Sequence, residues 1–219
     1  MKDLVIFGTG AFGDLAHYYF QHDSGYSVTA FVLDSAYLKE PNFKGLPVVA
    51  FEEVTTQFPP SRYDMFVAVG IQKVNRQRAA KVAEAEAKGY VLPGFLSSKA
   101  KAPPDFAIKP NSFVMEGSFV QPYVEIGRDT IVLGNAHIGF RSRIGDHCWL
   151  TTPVLGETVT VGDYTFIGIN ATVVSNHTIG KSNVIGAGAL IHKDTKDFEV
   201  YQGHASVASK VPSHRLRRI

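Results

Sequence analysis

The chain has 219 residues, of which 45% are apolar and 19% charged, and its formal net charge is +2. This composition excludes a disordered chain, and the balance of basic and acidic residues argues against nucleic-acid binding. No apolar run reaches the roughly 18 residues of a membrane span. The single cysteine excludes an intramolecular disulfide and a multi-cysteine zinc site. Because Met1 leads directly into a strand-like segment, without the apolar region of a signal peptide, we expect a soluble, cytoplasmic protein.

Residues 1–97 have the alternating strand and helix pattern of an α/β domain. Apolar runs predict three buried strands, at 4–7, 27–33 and 66–69. A helix is predicted after the first strand, and one of its faces carries Leu15, Tyr18 and Tyr19. A second helix is predicted at 77–88. Because parallel strands need crossover connections, this alternation indicates a parallel sheet.

Three glycines separate the first predicted strand from the first predicted helix: Gly8, Gly10 and Gly13. In this context G-x-G-x-x-G predicts a phosphate-binding loop, in which the glycines allow a tight turn, close phosphate approach and close helix packing, respectively. Asp34 ends the second strand, where a carboxylate can hold a ribose. The alternative is a glycine turn without a ligand. The first hundred residues hold little more than one mononucleotide-binding half, so we do not expect a nicotinamide dehydrogenase.

A strict six-residue repeat replaces the helical pattern after residue 97. Fifteen aliphatic residues keep this register, with one five-residue step: Ile108, Val114, Val120, Ile126, Val132, Ile138, Ile144, Leu150, Leu155, Val161, Ile167, Val173, Ile179, Ile185 and Ile191. Period six is typical of a hexapeptide β-helix, in which each repeat forms one flat face and three faces complete a coil. The sequence therefore predicts a β-helix of about five coils at 98–197, followed by a tail at 198–219.

The repeat motifs IGDHCW at 144–149 and IGAGA at 185–189 resemble those of the hexapeptide acyltransferases. With the N-terminal α/β unit, nearly the whole chain resembles the sugar O-acyltransferase family typified by the sialic acid O-acetyltransferases. Relatives in that family N-acetylate nucleotide-linked amino sugars in bacterial surface-glycan assembly. The resemblance implies a left-handed β-helix, a homotrimer, and acetyl-CoA bound along the β-helix between neighbouring subunits.

The resemblance also implies that the N-terminal domain binds a nucleotide-linked sugar through the glycine loop and Asp34. The segment 70–76 follows the third predicted strand and resembles the family's second nucleotide-sugar segment. Gly70 and Arg76 therefore join the predicted site, and the guanidinium of Arg76 could meet a phosphate. The alternative is a helix N-terminus with solvated charges.

Acyl transfer to an amine or hydroxyl is assisted by a general base, which in this family is a histidine two residues after a β-helix aliphatic position. Phe140 occupies that position here. Three interpretations follow. In the first, another histidine is the base by substitution, and the candidates are His137, His147 and, after them, His177. In the second, an amine nucleophile needs little beyond orientation against the thioester. In the third, the protein binds ligands without catalysis.

Small residues resemble the positions that the family uses along the pantetheine arm of the coenzyme: Gly168, Gly186, Ala187 and Gly188. The resemblance implies that they contact acetyl-CoA, although small residues also suit β-helix corners. No metal is expected, because the histidine spacing does not match the three converging histidines of the hexapeptide carbonic anhydrases.

The predicted function is an acyl-CoA-dependent acyltransferase that transfers an acetyl group to a nucleotide-linked amino sugar. One alternative is a non-catalytic ligand-binding or assembly protein that has lost the base, and Phe140 at the position of the family's histidine is the feature that favours it. A further alternative is a sugar O-acetyltransferase. A hydroxyl has a far higher pKa than an amine, so the absence of the base favours nitrogen as the attacking atom.

Overall fold

The computed structural model describes residues 2–215, so the last four residues of the predicted tail lie outside the described part. The N-terminal sheet has five strands in the order β3-β4-β2-β1-β5. Its strands are β1 (Lys2–Phe7), β2 (Tyr26–Leu33), β3 (Asn42–Phe43), β4 (Leu46–Ala50) and β5 (Tyr63–Val67). All neighbouring pairs are parallel except β3 with β4, which form an antiparallel hairpin. The helices are α1 (Ala11–His22), α2 (Val54–Gln57) and α3 (Arg76–Ala87).

The N-terminal elements differ from the sequence prediction in three places. The third predicted strand, at 66–69, ends two residues earlier in the structure, as β5. The hairpin of β3 and β4 was not predicted; its turn uses left-handed backbone at Lys44 and Gly45. The prediction for Tyr18 is wrong, because its side chain is 57% exposed. The buried face of α1 instead follows the spacing of Phe12, Ala16, Tyr19 and Phe20.

The rest of the chain winds into a β-helix whose two-residue strands stack into three parallel sheets. The first sheet contains β6 (Phe95–Leu96), β7 (Phe113–Val114), β10 (Ile131–Val132), β13 (Trp149–Leu150), β16 (Phe166–Ile167), β19 (Val184–Ile185) and β21 (Val200–Tyr201). The second contains β8 (Phe119–Val120), β11 (His137–Ile138), β14 (Val154–Leu155), β17 (Thr172–Val173) and β20 (Leu190–Ile191). The third contains β9 (Glu125–Ile126), β12 (Arg143–Ile144), β15 (Thr160–Val161) and β18 (Thr178–Ile179).

The predicted β-helical core is confirmed. Fourteen of the fifteen aliphatic residues belong to one buried cluster, and Ile108 packs against it partly buried. Each of the fourteen is the second residue of its strand and points inward, because successive side chains of a strand alternate between faces. The β-helix is left-handed, as the resemblance implies. Its first sheet includes β6 and β21, which lie just outside the predicted range of 98–197.

A residue with left-handed backbone lies three positions before each of these fourteen aliphatic residues, with φ between 46° and 71°. These corner residues are Asn111, Gly117, Tyr123, Asp129, Asn135, Arg141, His147, Thr152, Thr158, Tyr164, Asn170, Asn176, Ser182 and Gly188. Left-handed backbone is unfavourable for residues other than glycine and asparagine. The stacked coils therefore hold Asp129, Arg141 and His147 in this left-handed backbone conformation, which fixes the direction of their side chains.

The two domains share one aromatic cluster. The outward side chains of the first β-helix sheet, such as Phe113 and Trp149, pack against Phe12, Phe20 and Phe66 of the N-terminal domain. The ring centroid of Phe12 lies 5.0 Å from that of Trp149 and 5.7 Å from that of Phe113, both in edge-to-face geometry. Such pairs stabilise beyond their buried area. The N-terminal domain is therefore fixed on the first sheet.

Shortening one core side chain is expected to destabilise the β-helix modestly. Ile138→Val removes a methylene from a fully buried position and should lower the free energy of unfolding by about 0.5–1.5 kcal/mol. The matched control is Ile169→Val at a corner position that is 51% exposed, where the change should stay within about 0.5 kcal/mol. Urea unfolding of the two variants checks the difference. Equal effects would contradict the assigned register.

No helix within residues 2–215 has both the length and the apolar character to cross a membrane.

Candidate functional site

The three glycines of the loop between β1 and α1 have separate roles. Gly8 has φ +116°, and a Cβ there would lie 2.6 Å from the carbonyl oxygen of Ala68. A Cβ at Gly13 would collide with the carbonyl oxygen of Gly8. Gly10, by contrast, is exposed and has no atom within 4 Å of its Cβ position. Gly8 and Gly13 therefore allow the tight turn and the helix packing, and Gly10 leaves open space for a ligand.

A cavity of about 490 Å³ lies over this loop at the carboxyl ends of the strands. Gly8, Gly10, Asp34 and Gly70 all line it, so the structure brings these predicted residues together. Ligands of open parallel sheets bind in this crevice, outside the carboxyl ends of the strands. Backbone amides at the start of α1 favour an anion there.

Lys81 of α3 lies in the same cavity and was missed by the sequence analysis. Its Nζ is 2.7 Å from Asp34 Oδ1 and 2.6 Å from Glu84 Oε2. Burial alone would lower the pKa of Lys81, but hydrogen bonds to the two carboxylates outweigh it and raise the pKa. Lys81 therefore stays charged. The cavity presents a cation beside the carboxylate that was predicted to hold a ribose.

A second, more apolar cleft of about 540 Å³ adjoins the glycine-loop cavity on the side of the β-helix. Four residues line both spaces: Gly10, Ala68, Gly70 and Gln72. The remaining walls come from α1 and from the first β-helix sheet and include Phe12, Leu133, Trp149, Thr151 and Phe166. The N-terminal cavity therefore adjoins a cleft between the two domains.

Arg76 does not line the glycine-loop cavity, although it begins α3 next to it. Its guanidinium lies over the ring of Tyr164, 4.6 Å from the centroid, and Nη2 donates to Ser182 Oγ at 2.9 Å. Three consecutive residues before it, Lys73, Val74 and Asn75, have left-handed backbone, which turns the chain towards the β-helix. The role of Arg76 in nucleotide binding stays a prediction, and the structure does not bring it to the glycines.

His147 forms a pair with a buried carboxylate. Its Nδ1 is 2.8 Å from Asp129 Oδ2, and Asp129 is fully buried. Arg78 Nε and Asn111 Nδ2 donate to the other carboxylate oxygen, at 2.9 and 2.7 Å. The imidazole stacks on Tyr164, with 4.8 Å between ring centroids. His147, but not Asp129, lines a polar cavity of about 370 Å³ that shares only Ala80 with the glycine-loop cavity.

His137 lies on the outer face of β11 in the second β-helix sheet, half-buried beside Phe119, with 5.4 Å between ring centroids. Three residues on, Phe140 lies at the next corner. Its ring contacts Tyr123 in edge-to-face geometry, and the guanidinium of Arg141 lies 4.9 Å from its centroid. The position at which the family has its base is thus an apolar and cationic corner, which cannot accept a proton from a nucleophile.

The predicted coenzyme residues lie at one β-helix corner. Ala187 and Gly188 are exposed after β19, Gly186 is partly buried, and Gly168 is buried one coil earlier. Gly188 has φ +66°, and no atom lies within 4 Å of its Cβ position. The corner thus leaves room for a ligand, and contact with a coenzyme stays a prediction.

Cys148 is unsuited to be a nucleophile. Its side chain is fully buried, and burial raises the pKa of the thiol to about 12. Because only the thiolate reacts, we expect no reaction of the folded protein with a disulfide reagent at mildly alkaline pH. One thiol per chain should react in guanidinium chloride. A fast-reacting thiol in the folded protein would contradict this burial.

No group of three histidine, cysteine or acidic side chains within residues 2–215 is arranged to hold a metal ion.

Solved structures of other proteins have the same arrangement of two domains. The chain is similar to a histidine-to-asparagine mutant of perosamine N-acetyltransferase from Caulobacter crescentus, in complex with CoA and GDP-perosamine. The TM-score is 0.82 at 26% identity, over 93% of this chain and 94% of that chain. This chain thus resembles the hexapeptide-repeat acyltransferases in its fold and in its sequence repeat. WeeI from Acinetobacter baumannii shares the fold, with a TM-score of 0.77 at 18% identity over 91% and 96% of the two chains.

Curated relatives of this hexapeptide-repeat protein match mainly over half of its length, and no family model matches it. A putative acetyltransferase, YvoF, from Bacillus subtilis is 30% identical over 110 residues, which are 50% of this chain and 58% of that protein. The bifunctional protein GlmU from Stenotrophomonas maltophilia is 32% identical over 48% of this chain and 26% of its own length. The chain thus aligns with little more than half of the first relative and a quarter of the second.

Sequence analysis of this hexapeptide-repeat protein missed Lys81, Arg78 and Asp129. One signal could have found Asp129: it precedes His147 by 18 residues, which is three hexapeptides or one full coil, so the two residues lie on neighbouring coils. No comparable signal exists for Arg78, which is 51 residues from its partner Asp129 and in the other domain.

Proposed function

We propose that this protein is an acyl-CoA-dependent acetyltransferase that acts on the amino group of a nucleotide-linked sugar, in bacterial surface-glycan biosynthesis. The observation that carries the proposal is the position of the glycine-loop cavity directly beside the cleft between the domains, with four lining residues in common. A nucleotide in the cavity would extend its sugar along the cleft towards the β-helix. The perosamine enzyme, whose structure holds CoA and GDP-perosamine, supports this assignment.

The residues of the cavity have complementary tasks in this proposal. The backbone N–H groups around Gly10 donate hydrogen bonds to the phosphates. Asp34 and Lys81 contact the nucleoside. The coenzyme lies along the corner at Gly186 and Gly188, where small residues leave room for the pantetheine arm. Orientation of the amine against the thioester then supplies much of the rate, since holding two reactants together replaces a bimolecular encounter.

A homotrimer completes the site in this proposal. The outer face of the second β-helix sheet carries exposed apolar side chains, among them Phe119, Val154 and Leu190, which are 42%, 47% and 62% exposed. Exposed apolar surface of this kind marks interaction sites. Packing of this face on a neighbouring subunit would place His137, which lies within it, at the subunit boundary. We therefore propose His137 as the base. His147 lines the separate polar cavity and is the weaker candidate.

A second candidate function is ligand binding without catalysis. The contacts of Phe140 with Tyr123 and Arg141 favour it, because they fill the position of the family's base with groups that cannot accept a proton. Under this alternative the glycine-loop cavity still binds the nucleotide-linked sugar, but no acyl group is transferred.

Thiol release from acetyl-CoA tests the proposal, with a panel of nucleotide-linked amino sugars and, as separate acceptors, sugars that offer only hydroxyl groups. Acceptor-dependent release with the amino sugars is expected. Release only with hydroxyl acceptors would make the protein an O-acetyltransferase. Binding of either ligand without any release would support the non-catalytic alternative.

Blocking the phosphate position is expected to weaken binding of the acceptor selectively. Gly10→Leu places a side chain in the cavity and should raise the KM for the nucleotide-linked sugar by about tenfold or more, with little effect on the KM for acetyl-CoA. Gly25→Leu is the matched control, since Gly25 also has no atom within 4 Å of its Cβ position but does not line the cavity. Steady-state kinetics of both variants distinguish them. Equal KM values would contradict phosphate binding at Gly10.

A further inference from the structure

The polar cavity beside α3 is separate from the site proposed above and concentrates positive charge. Arg76, Arg128, His147 and Tyr164 line it, together with one carboxylate, Glu86. Glu86 pairs with Arg128 Nη2. Within residues 2–215, no carboxylate lies within 4.0 Å of the Arg76 guanidinium. The cavity therefore holds more cationic than anionic groups.

Contacts with neighbouring residues fix the side chains of Arg76 and His147 in the cavity without a ligand. The guanidinium of Arg76 and the imidazole of His147 both lie on the ring of Tyr164. His147 donates Nδ1–H to the buried Asp129 carboxylate, whose charge Arg78 also balances, and this leaves Nε2 for a ligand. Arg128 Nε is buried without a hydrogen-bond partner in the described part of the chain, so this guanidinium keeps unused donor capacity.

We propose that this cavity binds a phosphoryl group between Arg76, Arg128 and His147. Two guanidinium groups against one carboxylate leave the cavity with a net positive charge, which is complementary to the charge of about −1.5 to −2 on a phosphate monoester at pH 7. Arginine N–H groups make short, charge-assisted hydrogen bonds to phosphate oxygens, and Nε2 of His147 accepts from a phosphate hydroxyl group. The volume of about 370 Å³ accommodates more than the bare anion, so the phosphoryl group can belong to a larger molecule.

The test is a titration of the full-length protein with inorganic phosphate in neutral buffer, followed by the NMR signal of the His147 ring. His147→Asn assigns this signal among the eight histidines. A saturable shift is expected. Arg76→Gln should weaken phosphate binding about tenfold, and Arg76→Lys, which keeps the charge, should retain most of it. The control Arg143→Gln loses the same charge at an exposed position in the third sheet and should bind as the unaltered protein does.

Absence of a saturable shift would overturn the proposal, as would equal weakening by Arg76→Gln and Arg143→Gln, which would indicate a general salt response. Competition identifies the source of the phosphoryl group. Displacement of phosphate by CoA but not by dephospho-CoA assigns the site to the coenzyme's ribose phosphate. Displacement by a nucleotide-linked sugar assigns it to a diphosphate, and displacement by neither leaves free phosphate as the ligand. None of these readouts depends on turnover, so failure of the proposed acetyl transfer would not affect them.

Discussion

Arg78→Met is expected to lower the free energy of unfolding by about 3–5 kcal/mol, because it removes one partner of a buried ion pair and leaves Asp129 with hydrogen bonds from His147 and Asn111 alone. Arg78 and Asp129 are both fully buried, in different domains. Methionine is a good helix former and suits this position of α3, so the loss reports on the pair rather than on helix propensity. Urea unfolding measures it.

The size of this effect follows from the number of contacts that Arg78 makes. Besides its ion pair, Nη2 donates to the carbonyl oxygens of Asp129 and Cys148, at 3.0 and 3.2 Å. All three acceptors would lose a donor in a dry environment, although the Asp129 carboxylate keeps Asn111 and His147 and the Cys148 carbonyl keeps the amide of Ile131. Buried hydrogen bonds to a charged group are among the costliest to lose.

Two further variants distinguish this mechanism from general damage to the core. Adding Asp129→Asn to Arg78→Met removes the buried charge that has lost its guanidinium partner and should recover part of the loss, since asparagine tolerates the left-handed backbone at position 129. Arg143→Met, at a side chain that is 70% exposed, should change stability by no more than about 0.5 kcal/mol. If Arg78→Met cost no more than this control, the ion pair of Arg78 with Asp129 would not contribute to the stability of the fold.

His137→Ala is expected to lower kcat for acetyl transfer by about 10²–10⁴-fold, the contribution that a general base makes. The prediction depends on the proposed function and on His137 lying at the subunit boundary. His177→Ala is the matched control, because His177 pairs with the exposed Asp194 in another part of the β-helix and should leave kcat unchanged. Steady-state kinetics at saturating acetyl-CoA separate the two variants.

Phe140→His in the His137→Ala background extends this test. It places an imidazole at the position of the family's base and should restore part of the lost kcat. An unchanged kcat in His137→Ala would contradict a catalytic role for this histidine. It would favour the interpretation in which orientation of the amine is sufficient.

The β-helix could be predicted because its information is local and repeated. Each hexapeptide supplies one inward aliphatic residue, and a coil needs only its neighbours to form. The glycine loop was equally accessible, since Gly8, Gly10 and Gly13 act within a single strand–turn–helix unit. The hairpin of β3 and β4 escaped prediction because β3 is a two-residue strand with too few side chains to show a period.

The sequence by itself determined the architecture, the register of the β-helical core and the cavity over the glycine loop. Only the tertiary structure decided which polar side chains meet. It turned Arg76 away from the glycines towards Tyr164, placed Lys81 beside Asp34, and joined Arg78 to Asp129. These pairings depend on how α3 packs between two domains, with partners 47 to 106 residues apart in the chain. Contacts between residues so far apart in the chain do not produce a sequence period, because they depend on how the elements pack and not on local residue spacing.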